Sequence, residues 1–174
     1  MLANEESAAP DLNCVQLKMT LCWVRPAVVR VLLVSKYDTM NELHLIICRS
    51  MGWKGREKKH EFCSMENGID RIPQMGDDDS YQDYYEAMSK LTVEDVLSVS
   101  KIMYRYDYGD DWEHVVEMQK RLAFPVKMLP CCIDGANPSP PEDVGGPDAY
   151  RKFCRANARK AGWMQQQAFD PSHF

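Results

Sequence analysis

The feature that most constrains the fold is a pair of alternating segments, residues 102–120, separated by a glycine and two aspartates. Apolar and aromatic side chains occupy every second position, which is typical of β-strands with one buried face. A loop limited to the glycine and the two aspartates pairs Tyr106 with His114 and Asp107 with Glu113. The segment therefore predicts an antiparallel hairpin with an aromatic face and an acidic face.

The acidic face is expected to bring like charges together. Directly opposed carboxylates destabilise a hairpin, so an arginine or lysine, a bound proton or a cation should offset them. Two interpretations stay open: a solvated or arginine-neutralised turn, and a carboxylate cup for Mg²⁺ or Mn²⁺, which prefer oxygen ligands. The candidate metal ligands are Asp107, Asp110, Asp111 and Glu113, with His114 on the opposite face from Glu113.

A second acidic segment, residues 140–146, reads Pro-Pro-Glu-Asp-Val-Gly-Gly. Proline fixes φ and glycine admits positive φ, so one interpretation is a structural turn that caps the following helix. The other places Glu142 and Asp143 beside the hairpin carboxylates, forming one acidic pocket. The predicted ligand- or partner-binding residues are Tyr106, Asp107, Asp110, Asp111, Trp112, Glu113, His114, Glu142 and Asp143.

Two strands are predicted near the start of the chain. Residues 13–23 alternate, with Leu21 and Trp23 on the apolar face, as in a half-buried strand. Residues 27–34 are almost all apolar, as in a strand covered on both faces. Because only the bend at Pro26 separates these runs, we expect them to pair antiparallel.

Two helix signals lie between the first two strands and the hairpin. Thr39 and Glu42 have the spacing of a capping box, which predicts a helix over residues 39–51. Gly52 is placed to end that helix. Thr92 is expected to open a second, short helix.

The whole pattern predicts an α+β fold with a mainly antiparallel sheet, a helix after the first two strands and a C-terminal helix from Gly146. Residues 13–174 are expected to form a single domain behind a flexible N-terminal arm, residues 1–12. Residues 66–83 are predicted to be a mobile surface loop, and the proline-rich residues 125–141 an irregular segment.

Composition narrows the classes of function. The chain has a formal charge of −5, 45% apolar and 27% charged residues, as in ordinary globular proteins. This charge argues against coating nucleic acid over the whole surface. Basic runs at residues 54–59 and 151–160 could still contact phosphates or an acidic protein, so they are the predicted partner-binding segments. A solvated charged face is the other interpretation of these runs.

The compartment is predicted from what the sequence lacks. The N-terminal residues have no basic start and no apolar run, so we expect no signal peptide. No segment reaches the roughly 18 apolar residues of a membrane helix, so no membrane partner is expected. The seven cysteines are odd in number and lack a CxxC spacing. We therefore expect a cytoplasmic protein with reduced thiols.

Two histidines and a cysteine form one more candidate site. His44 and Cys48 lie four residues apart on the predicted helix and so share a face, and His60 follows soon after. With one more ligand the set would suit Zn²⁺. The alternative is a histidine at the edge of the core beside a small apolar cysteine.

Three linked motifs carry a resemblance to a known family. Residues 106–114 read YDYGDDWEH, residues 132–135 read CIDG, and residues 140–146 read PPEDVGG. In this order they resemble the plasmid pRiA4b ORF-3-like family, whose members carry YDFGDxWxH, CxxG and PPEDCGG. Pro26 and Arg30 are similar to an earlier feature of the same family.

The resemblance covers about residues 13–174 and includes the closing residues 169–174, FDPSHF. It implies a compact α+β fold and an association with plasmids and mobile elements. Ser139 and Val144 stand where many members have cysteine. That difference leaves Cys132 alone and argues against a metal site of paired thiolates.

Two functions from different classes follow. The first is a non-catalytic accessory or binding protein of a mobile element that recognises a protein or nucleic-acid partner. The alternative is a divalent-metal-dependent hydrolase of phosphodiesters that uses the hairpin carboxylates with Glu142 and Asp143. No Walker loop, dinucleotide fingerprint, G-x-S-x-G or HExxH motif is present in the sequence.

Overall fold

A computed structural model describes residues 11–55, 58–65, 72–73, 80–97 and 101–158. The strands are β1 Cys14–Leu21, β2 Val29–Ser35, β3 His60–Ser64, β4 Ile102–Tyr106, β5 Trp112–Leu122 and β6 Cys131–Ala136. The helices are α1 Met40–Met51, α2 Tyr81–Met88, α3 Val93–Leu97 and α4 Gly146–Asn157. Along the described chain, strands and helices follow one another in the order β1, β2, α1, β3, α2, α3, β4, β5, β6 and α4.

The six strands form one sheet in the order β3-β4-β5-β1-β2-β6. Every neighbouring pair is antiparallel, and β1 and β5 lie at the centre. The predicted α+β class, the antiparallel sheet and the pairing of the first two strands are therefore confirmed. None of the described helices has the length and apolar character needed to cross a membrane.

Helix α1 begins and ends where local signals predicted. The Glu42 N–H donates to Thr39 Oγ1 at 3.2 Å, and the Thr39 N–H donates to the Glu42 carboxylate at 2.7 Å. This capping box satisfies free N–H groups of the first turn. Gly52 ends the helix with a left-handed φ of 73°. The predictions of α3 after Thr92 and of α4 from Gly146 are also confirmed.

The core lies on one face of the sheet, beneath α1. In β4 the alternating residues Ile102, Tyr104 and Tyr106 are fully buried, as alternation requires of a strand with one covered face. Leu43 and Ile47 of α1 are also fully buried. This aromatic and aliphatic layer fixes the position of the hairpin, and with it the acidic turn.

The predicted hairpin exists, but its predicted register was wrong by two residues. Tyr106 faces Trp112, and Arg105, not Asp107, faces Glu113. Asp107 and Asp111 both adopt left-handed backbone, with φ of 55° and 56°, so the connection includes them. The Asp111 N–H donates to the Asp107 carbonyl at 2.6 Å and closes this turn. The opposed carboxylates that the sequence predicted therefore do not occur at this position.

Two elements lie where irregular chain was predicted. Helix α2 begins within the predicted loop 66–83, because Ser80 Oγ accepts the Asp83 N–H at 3.1 Å and caps it. Strand β6 lies within the segment 125–141, where it pairs with the edge of β2. Its flanking prolines lie outside the paired residues, which is why the ladder tolerates them.

Several predictions fall on residues outside the described ranges. These are residues 1–10 of the predicted arm, most of the predicted loop 66–83, residues 56–57 within the first basic run, and residues 159–160 at the end of the second. The closing motif, residues 169–174, also lies outside them. Asp11, which is described, pairs with Lys36 at 3.1 Å.

Candidate functional site

The hairpin tip and the Pro-Pro-Glu-Asp segment meet in space. The Tyr106 hydroxyl donates to Glu142 Oε1 at 2.6 Å. The backbone N–H groups of Lys54 and Gly55 donate to the same carboxylate at 3.1 and 3.4 Å. Burial acts to raise the pKa of Glu142, but these hydrogen bonds outweigh it, so the pKa lies below its usual value. Glu142 is therefore an ionised carboxylate held by the protein's own donors.

Lys58 joins the two acidic segments. Its Nζ lies 2.8 Å from Asp107 Oδ2 and 3.0 Å from Asp143 Oδ1. Asp107 is only 7% exposed, and the Gly109 N–H donates to it at 3.0 Å. Burial acts to raise the pKa of Asp107, but the ammonium and the N–H group outweigh it and the pKa is lowered. We call Tyr106, Asp107, Asp110, Glu142 and Asp143, with Lys58, the acidic junction.

The start of α4 also contacts the hairpin turn. Asp110 Oδ2 accepts the Gly145 N–H at 3.0 Å. Gly146 has φ of 80°, and a Cβ there would lie 2.5 Å from the Asp110 carbonyl oxygen. Only glycine fits this approach, since real Cβ atoms do not come so close. The two glycines thus let the Pro-Pro-Glu-Asp segment sit against the hairpin.

Two of the predicted metal ligands, Asp111 and Glu113, contact other side chains outside the acidic junction. Asp111 pairs with Arg105, which also contacts Glu61. Glu113 accepts a hydrogen bond from the Trp23 indole at 2.5 Å. Among the residues that the structure describes, no group of three or more His, Cys, Asp or Glu side chains could hold a metal ion. The divalent-cation site and the hydrolase that depends on it stay predictions.

The predicted aromatic binding residues lie in the core. Trp112 and His114 are fully buried, and His114 contacts Trp53 edge-on with ring centroids 5.6 Å apart. Burial lowers the pKa of His114 to about 3, so the imidazole is neutral at neutral pH. Contact of these side chains with a partner stays a prediction.

The histidine pair is a stacked, hydrogen-bonded unit. The rings of His44 and His60 lie 3.5 Å apart and almost parallel. His44 Nε2 lies 3.0 Å from the Gly55 carbonyl, which only accepts, so this nitrogen carries the proton. The Tyr104 hydroxyl then donates to His44 Nδ1 at 2.8 Å. Burial raises the pKa of the adjacent Cys48 thiol to about 12, so the thiol is protonated at neutral pH.

An open groove of about 810 Å³ lies beside β1 and α4. Trp23 is 67% exposed there, with a left-handed φ of 62°. The sequence prediction that Trp23 lies on the buried face was wrong, because β1 ends at Leu21 and the backbone turns after it. Arginines supply the basic part of the wall. The groove is lined by Cys22, Trp23, Val24, Arg25, Pro26, Ala27, Arg151, Cys154 and Arg155, and we call it the tryptophan groove.

A second cavity, of about 530 Å³, borders α1, α2 and β3. The basic run 54–59 contributes two lysines to it. Its lining residues are His44, Leu45, Gly55, Lys58, Lys59, His60, Tyr81 and Tyr85. Each of the two predicted basic runs therefore borders a cavity, a relationship that charge counting alone could not show.

The fold and the acidic junction define a class: an antiparallel α+β protein whose hairpin turn is fastened to a Pro-Pro-Glu-Asp segment. The sequence matches the Plasmid pRiA4b ORF-3-like protein family over residues 13–174. The chain belongs to that family, which confirms the resemblance of its motifs.

Two similar proteins support the assignment. Protein y4hQ of Sinorhizobium fredii, named an uncharacterized protein, is 32% identical over 149 residues, covering 86% of this chain and 75% of the relative. The crystal structure of MM3350, a protein of unknown function from Methanosarcina mazei Go1, matches with a TM-score of 0.71. That match is 24% identical and covers 91% of this chain and 96% of the other. At this identity the structural likeness establishes the fold.

Proposed function

We propose that the protein is a non-catalytic binding module that recognises single-stranded nucleic acid through the tryptophan groove. The observation that carries the proposal is the exposed indole of Trp23, which lies among three arginines. Single strands are bound by aromatic side chains that stack on bases and by cations that contact phosphates. A nucleic-acid partner fits an accessory role beside plasmid or mobile DNA in the cytoplasm.

The indole is held in place before any partner arrives. Its Nε1 donates to Glu113 Oε2 at 2.5 Å, and the Trp23 carbonyl accepts from Arg151 at 3.4 Å. A bulky residue with positive φ is uncommon and is maintained only where surrounding contacts fix it. A ring held this way loses little conformational entropy on binding, which favours stacking.

Charge on the groove complements a phosphate backbone. Arg25 and Arg155 are exposed and form no ion pair with any described residue. Arg151 reaches Asp148, so it is partly neutralised. The formal charge of −5 is that of the whole chain, whereas the lining of the groove contains three arginines and no carboxylate. A protein with a net negative charge can bind a phosphate backbone within a short basic groove. The same net charge argues against coating of long duplexes.

The test is fluorescence anisotropy of a labelled oligothymidylate, titrated with protein at several salt concentrations. We expect binding at low salt that weakens as salt rises, because phosphate contacts release counterions. Trp23→Ala should weaken binding by about 1–3 kcal/mol, the usual contribution of one stacked base. Arg155→Ala should reduce the slope of log affinity against log salt by about 0.7, the value for one phosphate of a single strand.

Lys152→Ala is the matched control. Lys152 lies on α4 beside Arg151 and is exposed, but it does not line the groove. The control should bind as the unchanged protein does. The proposal is overturned if the oligonucleotide fails to bind at low salt, if Trp23→Ala binds normally, or if Lys152→Ala loses as much affinity as Arg155→Ala. Tighter binding of a polyglutamate peptide than of the oligonucleotide would also overturn it and indicate an acidic protein partner.

A further inference from the structure

Glu113 is a carboxylate at the edge of the tryptophan groove, outside the lining itself. It faces Arg105 across the hairpin, yet Arg105 pairs with Asp111 and Glu61 instead. Among the residues that the structure describes, no lysine, arginine or histidine pairs with Glu113. A carboxylate accepts hydrogen bonds at about four lone-pair sites. Glu113 therefore keeps acceptor capacity beside the exposed ring of Trp23.

Two contacts fix this carboxylate relative to the indole. The Cys22 N–H donates to the Glu113 carbonyl at 2.8 Å, so the chain just before Trp23 is hydrogen-bonded to β5. Glu113 Oε2 accepts from Trp23 Nε1 at 2.5 Å. Because the indole N–H points along the plane of the ring, the carboxylate lies beside the ring and does not cover its faces. Trp23 is 67% exposed, so ring surface remains open for a stacked base.

A carboxylate at the edge of a stacking ring distinguishes the bases by their donors. The Watson–Crick edge of guanine has two adjacent donors, N1–H and N2–H, which match the two oxygens of a carboxylate. Adenine and cytosine present one amino group each beside an acceptor nitrogen. Thymine presents one N–H between two carbonyl oxygens, which a carboxylate repels. Proteins that read single strands combine such edge contacts with aromatic stacking.

We propose that Glu113 makes the tryptophan groove selective for guanine: the base stacks on Trp23 and donates N1–H and N2–H to the Glu113 carboxylate. The inference rests on the proposed function, because it needs a single strand bound in the groove. The arginines of the lining contact phosphates, whereas a carboxylate repels them, so Glu113 acts on the base edge. One guanine is read per bound strand, since the described lining contributes one aromatic ring.

The test is fluorescence anisotropy with two short labelled strands of equal length: oligothymidylate, and the same strand with one central guanine. We expect the guanine strand to bind about tenfold more tightly, within the range for one bidentate contact between a side chain and a base. A third strand has hypoxanthine in place of guanine, lacks the N2 amino group and should lose most of this gain. The readout is the ratio of Kd values, so changes common to all strands cancel.

Two variants separate base recognition from general charge effects. Glu113→Gln replaces one acceptor oxygen by a donor, so the preference for guanine should fall to about twofold or less. Glu117→Gln is the matched control: Glu117 lies on the same face of β5, pairs with Lys18 and Lys101, and does not line the groove. It removes the same charge and should keep the full preference.

The outcomes distinguish this inference from the function on which it rests. Equal binding of the guanine and thymine strands, or equal binding of the guanine and hypoxanthine strands, would overturn the guanine site and leave single-strand binding intact. A preference retained in Glu113→Gln, or lost as fully in Glu117→Gln, would overturn the role of Glu113. Failure of both strands to bind at low salt would overturn the proposed function and this inference with it.

Discussion

The Tyr106 hydroxyl donates to the Glu142 carboxylate at 2.6 Å and joins strand β4 to the Pro-Pro-Glu-Asp segment. Two acidic segments that are far apart in sequence converge there, and Lys58 lies between Asp107 and Asp143. Their convergence is stabilised by protein donors. The acidic junction thus fixes the hairpin turn against the loop that precedes α4.

Replacement of Tyr106 by phenylalanine tests the strength of this connection. Tyr106→Phe removes the hydroxyl and leaves the stacked ring, so Glu142 loses its hydroxyl donor. We expect the free energy of unfolding to fall by about 1.5–3 kcal/mol, the usual value for a hydrogen bond to a charged group. Urea denaturation measures it. Tyr85→Phe is the control, because Tyr85 is exposed, and an equal loss in both variants would contradict the assignment.

Acid should destabilise the protein from about pH 6.5 downward, where an ordinary histidine begins to protonate. Burial lowers the pKa of His44 to about 4 and those of His60 and His114 to about 3. The unfolded chain therefore binds more protons between these values, and stability present above pH 6.5 is lost as the pH falls. For each imidazole that stays neutral in the folded protein, the free energy of unfolding falls by about 1.4 kcal/mol per pH unit as the pH decreases below 6.5.

Urea denaturation at pH 7, 6 and 5 measures this loss. A variant His60→Phe should show a shallower dependence on pH, because one titrating group is gone. Equal stability at pH 7 and pH 5 would show that the three rings are not held neutral. A dependence that begins only below about pH 4 would instead indicate that carboxylates dominate.

Signals confined to neighbouring residues were sufficient for part of this fold. The capping box at Thr39 placed α1 correctly, because both partners lie within one turn. Alternation predicted the hairpin, but its register depends on Asp107 and Asp111 in left-handed backbone, which alternation does not encode. Trp23 continued the pattern of β1 in sequence, yet the strand ends before it and its side chain is exposed.

In the candidate site, too, some features could be predicted from the sequence and the long-range contacts could not. One of the two interpretations of the sequence placed Glu142 and Asp143 beside the hairpin carboxylates, and in the structure Lys58 contacts both Asp107 and Asp143. Neutralisation by Lys58 was not predicted, because that contact is long-range and Lys58 lay in a run predicted to face a partner. The sequence did not predict the tryptophan groove, because its lining residues come from the end of β1 and from α4, which are far apart in sequence.

Gly146 should be far less tolerant of alanine than Gly52. Both glycines have positive φ, at 80° and 73°, so alanine meets a similar backbone cost of about 1–2 kcal/mol at either position. At Gly146 the added Cβ would also meet the Asp110 carbonyl at 2.5 Å, whereas at Gly52 nothing lies within 4 Å. Chemical denaturation should show about 1–3 kcal/mol more loss for Gly146→Ala. Equal losses would mean that the hairpin does not contact the start of α4.

The seven cysteines should separate into two groups on alkylation. All are free thiols, and burial raises the pKa of Cys48 to about 12, so its thiolate is scarce. Peptide mapping after brief treatment with iodoacetamide should find the partly exposed group modified and the buried group protected. The partly exposed group is Cys22, Cys63, Cys131 and Cys154, and the buried group is Cys14, Cys48 and Cys132. In urea all seven should react, and rapid modification of Cys48 in the folded protein would contradict its burial.

Arg30 should be among the residues least tolerant of substitution. It is 2% exposed, and its Nε donates to the Ser50 carbonyl at 3.0 Å. Its NH1 donates to the Ala136 and Asn137 carbonyls, and its NH2 donates to Ser139 Oγ. One guanidinium thus connects the end of α1 with the chain that leaves β6 and leads into the acidic junction.

Arg30→Met keeps the apolar stem but leaves those carbonyls without their donor, and each unpaired buried group costs about 1–3 kcal/mol. We therefore expect the free energy of unfolding to fall by about 3 kcal/mol or more, measured by urea denaturation. Arg30→Lys should recover little, because a single ammonium cannot reproduce the fork of donors. Arg121→Met is the matched control: Arg121 pairs with Glu94 on the surface, where such pairs contribute at most about 1 kcal/mol. If Arg30→Met and Arg121→Met lost similar stability, the hydrogen bonds of Arg30 would not hold the chain after β6 in place.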